Sequence, residues 1–338
     1  MRFRGNAIAA LAALAILTAC GGKGSPNGPS SSSGGSNSSG AGVPPGTAVF
    51  TQAPIDLAQI SSIVPIGNLN PPDHTLPTNH AYFFHAGAPS AELRAPGAGT
   101  VETVQRGTDD QFYVTVSSGF QYYMSHLFLD SSITQGAKVA AGQRVGVTAS
   151  AAGAFDLGII NNAVTLFFVR PERYITGTLH ADSPLKYFSE PVRSALYDKV
   201  ARTGGDKDGK INFDVAGRLA GNWFTPDLAV ASTENFGNGP KHLSFARDVN
   251  DPSRVRISIG GTLSISGSYV IQDGAVDPAD VSTSSGKTFY QLSFFAGNQP
   301  VAVMLVQMLA DDRIRAETFP AGTPPSVDFD GGAVTYIR

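Results

Sequence analysis

Short segments of strand-like composition recur along residues 81–337 of this 338-residue chain, with turn-forming residues between them. The segments are rich in Val, Ile, Phe, Tyr and Thr, which favour extended backbone. Gly, Pro, Asp-Asp and Ser-Ser turns separate them, and the 38 Gly and 22 Pro of the chain supply such turns in number. The pattern predicts an all-β protein.

The segments divide into two groups at Gly204-Gly205-Asp206, where we place a domain boundary. In the first group the predicted strands are 81–84, 99–105, 112–116, 120–124, 144–148, 155–160 and 164–169. One connecting helix is predicted over 184–201, with Ser183 as its N-cap and Pro191 delaying or kinking it. In the second group the predicted strands are 218–224, 242–246, 254–259, 262–265, 268–271, 288–295, 301–309, 313–319 and 333–337. Eight or nine strands suffice for a closed antiparallel β-barrel or a sandwich.

Charge and cysteine content exclude several classes of function. The chain has 24 Lys+Arg and 27 Asp+Glu, a net charge of -3, and therefore lacks the basic excess that nucleic-acid binding requires. It contains no block of like charges that would form a polybasic membrane segment. Its single Cys excludes a disulfide framework and cysteine-rich zinc motifs.

The N-terminus has the features of an export signal. Arg2 and Arg4 precede an apolar run over 7–19 that is too short to span a bilayer comfortably. The run ends in LTACG (17–21), which resembles the bacterial lipobox. That resemblance implies cleavage after residue 19 and a lipid on Cys20. The alternative is a plain secretory signal that happens to contain a cysteine.

Residues 20–48 are mostly Gly, Ser, Asn and Pro, and such a composition predicts a flexible tether. The predicted organisation is therefore a signal peptide (1–19), a tether (20–48), a β domain with a C-terminal helix (49–203) and an antiparallel β-barrel (204–338). A lipid on Cys20 would anchor the protein to a membrane of the cell envelope. Gly21 rather than Asp after the cysteine favours the periplasmic face of the outer membrane, if the cell is Gram-negative.

Residues 95–160 follow an order of motifs typical of one peptidase family. The segment APGAGTV is followed by YYMSHL, then by ITQGAKVAAGQRVG, and finally by FDLG. This order resembles the lysostaphin-type (LytM-like) zinc metallopeptidases of bacterial cell walls. The resemblance implies two hairpins wrapped on each other in a barrel-sandwich arrangement.

The same resemblance predicts a degenerate metal site. The family binds zinc through the His and Asp of H-x-x-x-D and the second His of H-x-H, and a further His polarises water. Here Asp156-Leu157-Gly158 stands in place of H-x-H, and Phe84 lies four residues after His80. The one literal H-x-x-x-D match, His126 to Asp130, falls in the wrong strand.

Four of the six histidines nevertheless lie within residues 74–126. The predicted groove residues are His74, His80, His85, Tyr123 and Asp156. We name His126 as the candidate catalytic residue, and His80 and Asp156 as candidate ligands if zinc is bound. Three interpretations stay open: a ligand-free remnant, a remodelled metal site and a catalytic use without metal.

The second domain carries a weaker resemblance. GNWF (221–224) holds the only Trp and is similar to the first strand of lipocalin-like calycin barrels. In those barrels the Trp closes the base of the barrel, and an Arg from the last strand packs across it. The resemblance implies this role for Arg313, Arg315 or Arg338, with Glu317 as a carboxylate that pairs with one of them. Either the barrel holds an apolar ligand or side chains fill it. The apolar run 301–309 favours a filled barrel.

These features favour an envelope lipoprotein whose degenerate domain binds a peptidoglycan stem peptide or a cell-wall enzyme. One alternative is an active zinc metalloendopeptidase of peptidoglycan, with ligands rearranged among His74, His80, His126 and Asp156. The other is a lipid or small-molecule carrier that uses the barrel. No nucleic-acid partner is expected.

Overall fold

The computed structural model describes residues 40–86, 90–149, 153–235 and 237–338. The predicted signal peptide, the lipidation site Cys20 and the first part of the tether lie outside these residues. In the described part, two short α-helices accompany eighteen strands, which confirms the all-β prediction. No described helix has both the length and the apolar character needed to cross a bilayer.

Ten strands from the first part of the chain form one antiparallel sheet. They are β1 (Ile60–Val64), β2 (His80–His85), β3 (Glu92–Arg94), β4 (Gly99–Gln105), β5 (Asp110–Ser117), β6 (Phe120–Leu129), β7 (Lys138–Val139), β8 (Arg144–Thr148), β9 (Ala154–Asn161) and β10 (Ala181–Asp182). The main order is β1-β2-β9-β6-β5-β4-β7. Outside this path β10 pairs with β9, and β8 pairs with both β3 and β6. Strand β9 is buried along its whole length, because it lies near the centre of the sheet.

Two predictions in this part are wrong. Residues 164–169 are not a strand: the Leu166 amide bonds the carbonyl of Leu179, and Phe168 is buried in a small apolar cluster with Phe224 of the second part. The predicted helix over 184–201 is instead a 3₁₀ turn, Pro184–Tyr187, followed by α2 (Val192–Tyr197). Pro191 sits at the N-cap of α2, where its missing N–H costs no hydrogen bond. The first helix, α1 (Thr176–Leu179), was not predicted.

The second part forms a closed eight-stranded antiparallel barrel, as predicted. Its strands are β11 (Gly221–Phe224), β12 (His242–Arg247), β13 (Val255–Ile259), β14 (Gly267–Ile271), β15 (Lys287–Ser293), β16 (Ala302–Ala310), β17 (Arg313–Pro320) and β18 (Val334–Ile337). The predicted strand 262–265 is absent. In that segment the hydroxyl of Ser264 lies 2.8 Å from the hydroxyl of Thr318, a side-chain contact with β17.

Buried apolar side chains fill the barrel interior. They include Trp223, Phe245, Ile257, Tyr290, Met304 and Tyr336. The guanidinium of Arg338 lies 4.1 Å from the centre of the Trp223 ring, so Arg338 is the one of the three candidate arginines that stacks on it. Glu317 accepts a hydrogen bond from the Asp330 amide. A packed interior of this kind favours the filled-barrel interpretation.

The end of the predicted tether contacts the sheet. The side-chain amide of Asn161 donates to the backbone carbonyl of Val43 at 2.8 Å, and the backbone amide of Val43 donates to the side-chain oxygen Oδ1 of Asn161 at 3.1 Å. The Gly42 amide adds a bond to the carbonyl of Ser118. The chain is therefore held against the β5–β6 turn from about residue 42 onward.

Candidate functional site

The site is built on three neighbouring strands, β2, β9 and β6. Their register places His80 opposite Gly158 and Gly158 opposite Tyr123. Two residues along, Asp156 lies between Tyr82 and Ser125. Because side chains alternate along a strand, these residues project from one face of the sheet.

His126 reaches this group from an irregular point in β6. The β5–β6 register shifts where Asp110 pairs with Leu127 and Gln111 with Ser125, so His126 is the extra residue of a β-bulge. Its φ is 63°, and His126 is the one non-glycine residue of the described chain with positive φ. Bulges re-aim side chains, and a bulky residue adopts this conformation only at a cost of about 1–2 kcal/mol. The fold therefore maintains a strained backbone that directs the His126 imidazole.

Four side chains form a continuous polar chain. Nδ1 of His126 lies 2.6 Å from Oδ2 of Asp109, and Nε2 of His126 lies 3.3 Å from Oδ2 of Asp156. The same Asp156 oxygen is 3.5 Å from Nε2 of His80. The rings of His74 and His80 contact each other edge-on, with centroids 5.3 Å apart.

Burial and neighbouring charges shift the pKa values of the side chains in this polar chain. Burial raises the pKa of Asp156 to about 7, against the opposing effect of His126. Burial disfavours charge on His126, but Asp156 and Asp109 outweigh it and raise the His126 pKa. Burial, followed by His74 and His126, lowers the pKa of His80 well below its ordinary value. His126 and Asp156 thus form a coupled pair that can hold and exchange a proton near neutral pH, whereas His80 is neutral.

Tyr123 occupies the space beside Gly158, the residue at which the sequence resemblance implies a histidine. A Cβ atom added at Gly158 would lie 2.1 Å from Cζ of Tyr123 and 2.4 Å from its hydroxyl oxygen. Non-bonded carbon atoms approach favourably only to about 3.5–4.0 Å. The absence of a side chain at residue 158 therefore makes room for the Tyr123 ring.

Several contacts fix this ring. It stacks on Tyr113 at a centroid distance of 5.0 Å, and its hydroxyl donates to Oδ1 of Asn79 at 2.7 Å. His80 packs near it, with Nδ1 3.5 Å from the Tyr123 hydroxyl. The Tyr123 side chain is thus an integral part of the site floor.

The residues present do not fit the zinc site that the sequence resemblance implies. Phe84 carries no ligand atom at the position expected for the Asp, and Tyr123 fills the space beside Gly158. Among the described residues, no group of three or more His, Cys, Asp or Glu side chains is arranged to hold a metal ion. In the alternative H-x-x-x-D pair, Asp130 accepts from Arg144 at 3.1 Å, whereas the carboxylates in contact with His126 are Asp109 and Asp156.

Most of the predicted site residues lie together. The structure brings together His74, His80, Tyr123, His126 and Asp156. His85 lies apart, since it ends the strand that His80 begins, about 16 Å away at ~3.3 Å per residue. Asp109 was missed, because Asp109-Asp110 was interpreted only as a turn. Asn79 was also missed, and the sequence feature that could have indicated it is its position next to His80.

The fold and the site define an all-β protein in which a sheet with a histidine–carboxylate cluster is joined to a filled antiparallel barrel. No protein-family model matches the sequence, and no curated protein matches it. Parts of the chain are similar to solved structures, several of them peptidases. One is Csd3 of Helicobacter pylori, with 16% identity over 35% of this chain and 33% of that chain and a TM-score of 0.28. Another is a zinc-containing peptidase of Vibrio cholerae, with 18% identity over 35% of this chain and 38% of that chain and a TM-score of 0.27.

A third similar structure is the SpoIIQ–SpoIIIAH pore-forming complex. It shows 15% identity over 44% of this chain and 96% of that chain, with a TM-score of 0.33. The matching part of this chain spans about a third of the length of the first two proteins, 33% and 38%.

Proposed function

We propose that this protein is a lipid-anchored envelope protein whose LytM-like domain binds a cell-wall peptide or a protein partner without cleaving it. The observation that carries the proposal is the Tyr123 ring in the space beside Gly158. A hydrolytic zinc site needs three protein ligands and an open position for water. At this site one ligand position is glycine, its space is filled by an aromatic ring, and a second position is Phe84.

The remaining polar chain suits recognition. The His126 side chain is 39% exposed and the Asp109 side chain 38% exposed, while Asp156 beneath them is 4% exposed. A ligand at this face would meet an imidazole that two carboxylates hold in one orientation. Side chains held this way lose little conformational freedom when a ligand binds, which favours affinity.

The test combines metal analysis, hydrolysis and binding on protein purified without chelator. We expect no stoichiometric zinc, no release of soluble fragments from purified peptidoglycan, and co-sedimentation with the peptidoglycan or capture of a wall protein. His126→Ala should weaken the binding, whereas His85→Ala, a matched histidine distant from the site, should leave it unchanged. Stoichiometric zinc together with cleavage that His126→Ala abolishes would overturn the proposal.

The anchoring part of the proposal has its own test. Mass spectrometry of the protein from a bacterial membrane fraction should find an acylated N-terminal Cys20, with residues 1–19 removed. A Cys20→Ser variant should move to the soluble fraction of the envelope. Recovery of unmodified full-length protein in the cytoplasm would reject this assignment. The filled barrel core gives no support to the carrier alternative, so we do not propose that function.

A further inference from the structure

A cavity of about 220 Å³ lies beside the site, where the segment before β2 faces the loop before β12. A cavity of this size has room for a small organic group, since a single water needs only about 10–15 Å³ by the same measure. The residues that matter for its chemistry are Asp73, His74, His80, Thr178, Glu234 and His242. His80 belongs also to the polar chain of the site, and the His74 ring contacts His80, so the cavity adjoins the site.

The walls of the cavity are fixed to each other. The Thr75 hydroxyl donates to the carbonyl of Gly239 at 2.8 Å, across the boundary between the two parts of the chain. The backbones approach so closely that a Cβ at Gly239 would lie 1.9 Å from the carbonyl oxygen of Pro72. Glu234 accepts from the Ile175 amide at 2.6 Å and from the Thr178 hydroxyl at 2.8 Å. The cavity is therefore preformed, which reduces the entropy cost of binding.

The charge of the lining selects the ligand. The described residues of the lining include the carboxylates of Asp73 and Glu234 and no Lys or Arg. The Ile175 amide and the Thr178 hydroxyl, which donate to Glu234, are neutral, and burial raises the pKa of Glu234 to about 7. Among the described residues, no cation pairs with a negative charge there. Burial lowers the pKa of His242 to about 4, so this ring does not supply a positive charge at neutral pH.

A hydrogen-bond chain joins the cavity to the ring that fills the place beside Gly158. The Tyr123 hydroxyl donates to Asn79, the Asn79 side-chain amide donates to Thr178 at 3.2 Å, and Thr178 donates to Glu234. An occupant that contacts Glu234 would thus be coupled to the site floor.

We propose that this cavity binds a primary ammonium group at the end of a short apolar stem, presented by a peptide that lies on the site. The ammonium would meet Glu234 and Asp73, and the stem would pack on Leu76, Pro77 and Ile175, which also line the cavity. An anionic group would meet two carboxylates and no cation, and is excluded. The peptide identity of the ligand rests on the proposed binding function, whereas the preference for an ammonium rests on the cavity residues alone.

The test is a calorimetric titration of the full protein with pentylammonium chloride, 1-pentanol and sodium pentanoate. We expect measurable binding of pentylammonium only. A blocked peptide with one lysine should bind more tightly than its norleucine counterpart, which distinguishes a peptide from a free amine. Glu234→Gln should weaken pentylammonium binding about tenfold, since a charge-assisted hydrogen bond is lost.

Two further variants guard against misfolding. Asp73→Asn changes an exposed residue of the lining and should also weaken the binding, whereas Asp227→Asn removes an exposed carboxylate outside the cavity and should not. Equal affinity for pentylammonium and 1-pentanol, or no loss in either lining variant, would overturn the cavity assignment. If peptidoglycan binding persists in that case, the proposed function survives. Cleavage of peptidoglycan with intact ammonium binding would reject the function and retain the cavity.

Discussion

The packing of Tyr123 against Gly158 predicts a strong energetic coupling between the two positions. In the variant Gly158→Ala, the new Cβ would lie 2.1 Å from Cζ and 2.3 Å from Cε1 of Tyr123. The ring must therefore move, against its stacking on Tyr113 and its hydrogen bond to Asn79. Overpacking of a filled core costs about 1–3 kcal/mol, and a lost hydrogen bond adds about 1 kcal/mol. We expect Gly158→Ala to lower the free energy of unfolding by about 2–4 kcal/mol.

A double-mutant cycle isolates the contact. Tyr123→Ala alone should cost about 3–5 kcal/mol, as truncation of a buried aromatic side chain does. In that background the methyl group at residue 158 enters vacated space, so adding Gly158→Ala should cost less than 1 kcal/mol. The coupling energy, which is the difference between these two costs, should then be about 1–4 kcal/mol, compared with about 0.5–3 kcal/mol for residues in direct contact. The matched control is Gly205→Ala, since a Cβ there has no neighbour within 4 Å.

The assay is urea unfolding followed by circular dichroism. The fluorescence of Trp223, the only Trp, reports on the barrel separately, so a change confined to the sheet can be recognised. The cycle is meaningful only where the denaturant slopes of the variants agree. The placement of the Tyr123 ring in this space is refuted if the unfolding free energies of Gly158→Ala and Gly205→Ala agree within about 0.5 kcal/mol. It is also refuted if the effects of Gly158→Ala and Tyr123→Ala on the unfolding free energy are additive.

Three further predictions concern protonation, backbone strain and the barrel. Burial raises the pKa of Asp156 to about 7, so the native protein binds more protons than the unfolded chain between about pH 4 and 7 and loses stability as pH rises through this range. In urea unfolding, Asp156→Asn should reduce this pH-dependent loss of unfolding free energy, by at most about 4 kcal/mol. An unchanged pH profile would contradict this prediction. Because φ at His126 is 63°, His126→Gly should be more stable than His126→Ala by about 1 kcal/mol in the same assay; equal stabilities would show that the bulge relaxes. Arg338→Ala removes the stacking on Trp223 and a 2.9 Å bond to the carbonyl of Val215. It should lower the free energy of unfolding of the barrel, followed by Trp fluorescence, by about 2–4 kcal/mol, and Arg338→Lys should restore only part of that loss. A loss below about 1 kcal/mol in Arg338→Ala would contradict the stacking role.

Local sequence predicted the strands well where alternation and turns agree. The predicted strands 99–105 and 144–148 match the observed bounds of β4 and β8. The predicted strand 164–169 failed because its backbone bonds elsewhere, as the Leu166 amide does to the carbonyl of Leu179. The predicted strand 262–265 forms no ladder in the described structure, and the hydroxyls of Thr262 and Ser264 bond the side chains of Tyr336 and Thr318 instead. An apolar run shows that a segment is buried, but it does not show what the segment packs against.

For the site, the residue types were visible and their arrangement was not. The histidines and Asp156 follow from the family resemblance and from the grouping of four histidines within residues 74–126. Asp109 does not, since its role depends on a bulge that turns His126 toward it. The cavity was missed entirely. Its key carboxylate, Glu234, belongs to a different part of the chain from His80, and only the docking of the barrel on the sheet brings them together.

The sequence by itself determined the β class and the barrel, because each is a property of residue type and local spacing. It also placed a glycine at residue 158, where the family resemblance implies a metal-ligating histidine. The tertiary structure decided what replaces that side chain. A glycine leaves space, but which neighbour enters it depends on strand register, and here the register places Tyr123 directly opposite Gly158. The same holds for protonation, since the pKa of Asp156 rises through burial between strands that are distant in sequence.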